Sequence, residues 1–261
     1  MTLFLHELRQ GKIALAIWSL AIAFFMVVCV LIYPEMGADL EDMGEMFASM
    51  GAFTEAFGMD QLNFGTFMGY YCIECGNVIG LGGAFFAALV GIGAISKEEK
   101  DHTAEFLLTH PVNRTCILTS KLAAVITQVV VLNVVVVGFT ALSTLLVDID
   151  IVWKEVMLVN GAYFLMQLEI ALICFGISAF IRKGGLGIGL GLAVTLYFMN
   201  LVKNISDDAQ FLKYITPYGY TDGAQIVADQ VLDFKLVLIG LAYSVIAVAI
   251  GYWKYSKKDI A

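Results

Sequence analysis

Apolar residues dominate this chain in six long runs that are separated by short polar segments. The runs cover about residues 13–33, 67–95, 122–147, 156–181, 186–202 and 236–253. An α-helix of about 20 apolar residues crosses a bilayer core of about 30 Å. The pattern therefore predicts an all-α integral membrane protein, in which residues 1–261 form a single transmembrane domain of six helices.

Two amphipathic segments accompany these runs. Residues 1–12 combine apolar side chains with polar and charged ones, which is typical of a short helix lying in the membrane interface before the first span. Residues 35–60 are rich in acidic residues and methionine. Their apolar positions recur with helical spacing, which predicts an amphipathic helix outside the bilayer; these positions are Met36, Leu40, Met43, Phe47 and Met50.

Composition agrees with a membrane protein that has little room for a separate soluble domain. The chain is 60% hydrophobic and 15% charged, whereas soluble domains are nearer half apolar and a quarter charged. Its mean hydropathy is +0.84. The five cysteines are scattered, and four lie in or beside apolar runs, which argues against a disulfide framework.

The distribution of basic residues predicts the orientation. Six spans place both termini on one side, and eleven of the 15 lysines and arginines lie on that side, at the termini or in the loops after spans two and four. The other loops hold only Lys154, Lys203, Lys213 and Lys235. Because basic residues are enriched in cytoplasmic loops, we expect both termini to be cytoplasmic.

The longest charged and patterned stretch lies between the second and third runs, from Ser96 to Lys121. Leu107 and Leu108 share a helical face with Ala104, acidic residues supply the other face, and Pro111 ends the pattern. The stretch therefore has two interpretations. It is either a short cytoplasmic helix that binds a partner, or a solvated amphipathic loop that caps two spans.

This stretch resembles the cytoplasmic loop of type-two ABC-transporter permeases. The loop of that family has an acidic lead-in, a Gly-Thr-Leu-Glu-like turn, a leucine pair, Pro-Val-Ser-Arg and Gly-Lys. The matching positions here are Glu98, Glu99, Thr103, Glu105, Leu107, Leu108, Pro111, Val112, Arg114 and Lys121. His102, Asn113 and Ser120 stand where glycine, serine and glycine are usual. Residues 53–71 and the Thr-Pro-Tyr-Gly-Tyr segment at 216–220 also look like segments of these permeases.

The resemblance implies a coupling helix seated on a cytoplasmic ATPase subunit. Its contact residues would be Glu98, Glu99, Thr103, Glu105, Leu107, Leu108, Pro111 and Arg114. It further implies two ATPase copies, a second permease subunit as a homodimer or heterodimer, and a prokaryotic plasma membrane. It also implies short helices between the last two spans, dipping into the outer leaflet. Tyr214, Tyr218 and Tyr220 cluster there, as aromatic groups do at a membrane interface.

The chain shows no nucleotide site of its own. A phosphate loop requires GxxxxGK[ST], and the one Gly-Lys pair, at Gly11, lacks the upstream glycine and the hydroxyl. We therefore expect no catalytic residue, metal or cofactor in this chain and no nucleic-acid partner; ATP and magnesium would belong to the ATPase subunit. The alternating glycines at 185–191 fit close helix packing through small-xxx-small pairs.

Four polar residues within the runs are candidates for a translocation path. They are Glu74, Asn77, Asn133 and Glu169. A carboxylate at the bilayer centre costs about 2.5–3.5 kcal/mol on insertion scales, so it normally faces a bundle interior or water. These residues could line a path or contact a cationic substrate, or they could only form hydrogen bonds between helices.

Cys72 and Cys75 form a single CxxC sequence. Without a second pair or a histidine partner, packing or an incidental local disulfide explains it better than a redox or metal role.

Three functions fit the sequence. The first is the permease of an ABC exporter for an amphipathic substrate such as a drug, antimicrobial peptide or lipid. The second is an ATP-independent secondary transporter or channel that couples ions through Glu169 and Glu74. The third is a sensory or immunity membrane protein that binds a partner without transport.

Overall fold

The computed structural model describes residues 2–36, 50–59, 61–100, 113–147, 149, 151–181 and 184–257. Within these ranges the chain is helical and contains no strand. Six helices are long and apolar enough to cross a membrane. The predicted all-α architecture with six spans is thus confirmed.

The six spans lie close to the predicted runs. Span 2, at 67–100, consists of several consecutive helical pieces. The other spans, numbered 1, 3, 4, 5 and 6 in chain order, are Thr2–Met36, Arg114–Leu146, Trp153–Ser178, Leu186–Ile205 and Phe234–Ser256.

Span 1 begins much earlier than the sequence pattern suggested. Residues 2–12 do not form a separate interfacial helix but continue without a break into the span. Gly11 is the only residue of this stretch with a poor helix propensity, and one glycine does not end a helix. Span 1 has 35 residues and is therefore about 50 Å long, well beyond a hydrocarbon core of about 30 Å. Pro34 lies in the last turn, and the helix ends two residues later.

The predicted outer amphipathic helix is described only in part. A short helix covers Ala52–Ala56. Leu40, Met43 and Phe47, on which the prediction depends, lie outside the described residues.

Span 2 is irregular where the others are regular. After Phe67–Tyr70 it contains two π-helical turns, Tyr71–Cys75 and Val78–Gly82, before the regular helix Gly83–Lys100. A π turn changes the helical hydrogen-bonding pattern, and inside a bilayer each backbone carbonyl needs a partner within the protein. Side chains of neighbouring elements therefore reach this part of span 2.

The segment between spans 5 and 6 folds into short helices, as expected. These are Asp207–Tyr214, Pro217–Tyr220 and Gly223–Asp229. The tyrosines differ from the prediction, since Tyr218 and Tyr220 are buried in the bundle while Tyr214 is exposed. Tyr218 donates a hydrogen bond to the carbonyl of Gly80 in the second π turn at 2.9 Å. Burial raises the pKa of Tyr218, which keeps the hydroxyl a donor.

The spans pack in a fixed order around one core. Span 1 lies along span 3, span 2 packs against spans 4 and 5, and span 6 packs against span 4. At the contact of spans 2 and 5, a Cβ added to Gly189 would meet Ile92 at 2.9 Å and the carbonyl of Ala88 at 3.1 Å. Gly187, two residues earlier, faces open space. The packing role predicted for the glycines is therefore visible for Gly189 within this chain.

Replacing these two glycines tests the contact of spans 2 and 5. We expect Gly189→Leu to lower the free energy of unfolding by about 1–3 kcal/mol, because the new side chain would overlap span 2. Gly187→Leu, on the same helix but facing open space, is the matched control and should change it little. Unfolding of both variants in detergent measures the difference, and equal stabilities would contradict the described contact.

Candidate functional site: the charged end of the bundle

Lys121 is a buried cation at the end of the bundle where spans 1, 2 and 3 meet. Its side chain is only 1% exposed, although it belongs to an apolar helix. Its Nζ lies 2.8 Å from Oε1 of Glu7 in span 1 and 2.5 Å from Oε1 of Glu98 at the end of span 2. A buried charge of this kind is tolerated only when it is paired and hydrogen-bonded. Lys121 thus connects three spans through two ion pairs.

Lys97 completes a group of four charges that we call the basal cluster: Glu7, Lys97, Glu98 and Lys121. Lys97 lies 3.8 Å from Glu7 and is 40% exposed. Two acidic and two basic side chains balance formally at neutral pH. Within this group of four, Lys97 presents the most accessible charge.

Arg114 makes a second connection at the same end. Its Nη1 donates to the backbone carbonyls of Tyr255 and Ser256, at 3.3 and 3.2 Å. These carbonyls belong to the last turn of span 6, where a helix carries partial negative charge that attracts a cation. Asn113 caps the start of span 3 by accepting a hydrogen bond from Thr115 N at 3.2 Å. The beginning of span 3 is thereby fixed to the end of span 6.

These contacts place the two ends of the predicted coupling helix. Thr103, Glu105, Leu107, Leu108, Pro111 and the side chain of Glu99 lie outside the described residues. Glu98 and Arg114 are described, and both bind groups of their own chain. The described chain therefore reaches residue 100 beside the basal cluster and resumes at Asn113, next to the contact between Arg114 and span 6.

A buried polar chain crosses the middle of the bundle. Asn133 in span 3 donates a hydrogen bond to Oε1 of Gln167 in span 4 at 2.7 Å. Gln167 in turn donates to the carbonyl of Ile79, in the second π turn, at 3.3 Å. Asn133 thus has the hydrogen bond between helices that the sequence left open as one of two interpretations.

Asn77 lies in a different polar region, beside a small cavity of about 60 Å³. Its amide donates to the carbonyl of Ile73 at 2.6 Å and its oxygen accepts from the hydroxyl of Tyr197 at 3.2 Å. Lys203 and Asp222, 3.9 Å apart, also line this cavity. A volume of this size holds a few water molecules.

Glu74 belongs to the first π turn and is half-buried. It lies three residues before Asn77 in the sequence. Whether it faces a path of an exported molecule remains a prediction.

Glu169 has a third environment. It is fully buried, and neither carboxylate oxygen has a hydrogen-bond partner among the described residues. The carboxylate lies against Gly240 of span 6, where any larger side chain would overlap it. The Tyr220 hydroxyl is close by, without the geometry of a hydrogen bond. Asn77, Asn133 and Glu169 therefore have separate neighbourhoods, and a path through all four candidates remains a prediction.

The cysteines of the CxxC sequence are free thiols. Cys72 and Cys75 are both buried within the first π turn. Across the described part of the chain, no group of three or more histidine, cysteine, aspartate or glutamate side chains could hold a metal ion.

Six helices that are long and apolar enough to cross a membrane, three of them joined at one end by buried ion pairs, define a multi-pass membrane protein. The sequence profile of the ABC-2 family transporter proteins matches residues 1–260. The chain belongs to this family, which confirms the resemblance to ABC permeases. A search of the curated proteins found no match.

Sequence reasoning missed four residues of these polar sites. Glu7 and Gln167 were not among the candidates, nor was the pair of Lys203 with Asp222. A signal existed for Glu7, because Lys121 lies seven residues inside a helix and a buried lysine needs a carboxylate partner. The partner itself could not be read from the sequence, since it lies 114 positions away.

Removing the buried cation tests the basal cluster. We expect Lys121→Met to lower the free energy of unfolding by about 3–5 kcal/mol, because Glu7 and Glu98 would lose the buried cation between them. Lys97→Met removes a more exposed lysine of the same cluster and should lower the free energy of unfolding by only about 0–1 kcal/mol. Unfolding of both variants in detergent separates the two effects. Similar losses of unfolding free energy in the two variants would contradict the expectation that the buried lysine stabilises the bundle more than the exposed one.

Proposed function

We propose that this chain is the permease subunit of an ATP-driven exporter and that a separate subunit hydrolyses the ATP. The observation that carries the proposal is membership of the ABC-2 transporter family over residues 1–260. Active transport by a membrane bundle needs an energy source, and the chain has no phosphate-loop sequence. A partner that binds ATP and magnesium supplies that source.

The segment between spans 2 and 3 is the proposed contact with the ATPase. Glu98 and Arg114, at its two ends, bind the bundle, so a force on the segment would reach spans 1, 3 and 6 through their contacts. The contact itself would come from Glu98, Arg114 and the residues between them: Glu99, Thr103, Glu105, Leu107, Leu108 and Pro111. Glu98 and Arg114 would also hold the two ends of the segment against the bundle.

The proposed orientation has both termini and this segment in the cytoplasm of a prokaryotic cell. The contacts of Glu7 with Lys121 and of Arg114 with Ser256 bring the two ends of the chain to the same end of the bundle. That end also carries most of the basic residues, as cytoplasmic loops do. Two copies of the ATPase would bind beneath a pair of permeases, identical or homologous.

An amphipathic molecule is the proposed substrate. The segment that connects span 1 to span 2 is rich in methionine and phenylalanine, and methionine surfaces adapt to varied apolar shapes. ATP-driven closure of the ATPase pair would open the path between the permeases outward.

A second candidate function is ATP-independent transport coupled to ions through Glu169, with Glu74 nearer the outer surface. The specific observation in its favour is the complete burial of Glu169 without a hydrogen-bond partner in the described part of the chain. A buried carboxylate of this kind can exchange a cation or a proton during transport. Glu169→Gln would abolish such transport while preserving the shape of the side chain.

Charged substitutions at the leucine pair test the proposed function. We expect the double variant Leu107→Asp, Leu108→Asp to reduce co-purification of a co-expressed ABC ATPase at least tenfold, because burying two carboxylates at an apolar contact is unfavourable. ATP hydrolysis by the complex should fall in parallel.

Cys116→Asp provides the matched control, since Cys116 is an exposed position just after the segment. It should leave co-purification unchanged. The proposal fails if the double variant binds the ATPase as the unchanged protein does. Transport that proceeds without ATP and disappears in Glu169→Gln would support the second candidate instead.

A further inference from the structure

A groove opens in the side of the bundle next to the basal cluster. Its volume is about 360 Å³, and it lies between spans 1, 2 and 3 with Leu186 of span 5 at its edge. The deep part is lined by apolar and aromatic side chains, including Trp18 and Phe86. The opposite end is polar, with Lys97, Glu7 and Gln10.

The length of the groove matches one leaflet of a bilayer. Glu7 and Trp18 are eleven residues apart on one helix, as are Phe86 and Lys97 on another, which corresponds to about 16 Å along each axis. Half of a hydrocarbon core measures about 15 Å. An acyl chain of the leaflet next to the N-terminus would therefore run along the groove from the charged end to Trp18.

The charge at the mouth selects the headgroup. Lys97 is 40% exposed, whereas Glu7 is 11% exposed and Lys121 is enclosed between two carboxylates. Among the described residues that line the groove, the most accessible charged side chain is therefore Lys97, which is positive. A lysine near the membrane surface attracts lipid phosphates, and it attracts a lipid with net negative charge more strongly than a zwitterionic lipid.

Gly93 gives the groove its free space. A Cβ added at this position would have no heavy atom within 4 Å, although Gly93 lines the groove. Gly11, which also lines it, differs because a Cβ there would overlap the side chain of Gln128 in span 3. A larger side chain at position 93 would therefore occupy the groove without moving neighbouring residues.

We propose that this groove is a binding site for an anionic glycerophospholipid, with one acyl chain against Trp18 and the phosphate at Lys97. The site is independent of the proposed ATPase partner and requires only the six-span bundle. It would place a lipid across the contact of spans 1 and 2, directly beside the basal cluster.

Trp18 is the probe for the test. The chain has two other tryptophans, both exposed, and the background Trp153→Phe, Trp253→Phe leaves Trp18 alone. This background protein is reconstituted in phosphatidylcholine nanodiscs and titrated with phosphatidylglycerol that carries brominated acyl chains, which quench tryptophan at short range. Brominated phosphatidylcholine serves as the comparison lipid.

We expect phosphatidylglycerol to quench Trp18 at about fivefold lower mole fraction than phosphatidylcholine, the preference that one lysine near the surface confers. Lys97→Gln should bring the two lipids to within about twofold of each other. Gly93→Leu should weaken quenching by both lipids. Gly138→Leu, at another helical glycine that faces open space, is the matched control and should leave quenching unchanged.

The proposal is overturned if both lipids quench Trp18 equally before any substitution, or if neither Gly93→Leu nor Lys97→Gln changes the titration. It is also overturned if Gly93→Leu converts a dimer into a monomer, because a second copy of the chain would then occupy the groove. Because the assay contains no ATPase, its result does not depend on the proposed function.

Discussion

The burial of Lys121 between Glu7 and Glu98 is the interaction on which the arrangement of this protein depends. A lysine that is 1% exposed in an apolar helix cannot remain charged without partners, and the two carboxylates come from two other spans. The pairing therefore specifies the positions of spans 1, 2 and 3 relative to one another at one end of the bundle. Apolar packing alone would specify them less well, since lipid is as apolar as the side chains.

This arrangement explains how a short segment outside the membrane could act on the bundle. Its first end is held by Glu98, which binds Lys121, and its second by Arg114, which binds the end of span 6. Spans 1, 3 and 6 would therefore respond together to a movement of the segment. The proposed lipid groove lies beside the same cluster, so that a lipid there would share the contact between spans 1 and 2.

The sequence predicted the spans because membrane thickness imposes their length on any helix that crosses it. It did not predict the π turns at Tyr71–Cys75 and Val78–Gly82, which depend on distant partners. Gln167 and Tyr218 satisfy carbonyls of the second turn from other parts of the chain. The same limit applies to Tyr220, which looked like an interface aromatic and is buried, and to residues 2–12, whose composition suits an interfacial helix as well as the start of span 1. Packing or polar contacts with distant parts of the chain, which the local sequence does not show, decide each of these cases.

We propose that the segment between Glu98 and Arg114 delivers energy from a soluble ATPase to the bundle. Site-specific photo-cross-linking from Leu107 in membranes tests this coupling. A benzophenone amino acid at this position should capture the ATPase subunit, and Lys121→Met should weaken capture by disturbing one end of the segment. Capture of no ATPase from position 107, with capture from the opposite end of the bundle at Leu212, would contradict it.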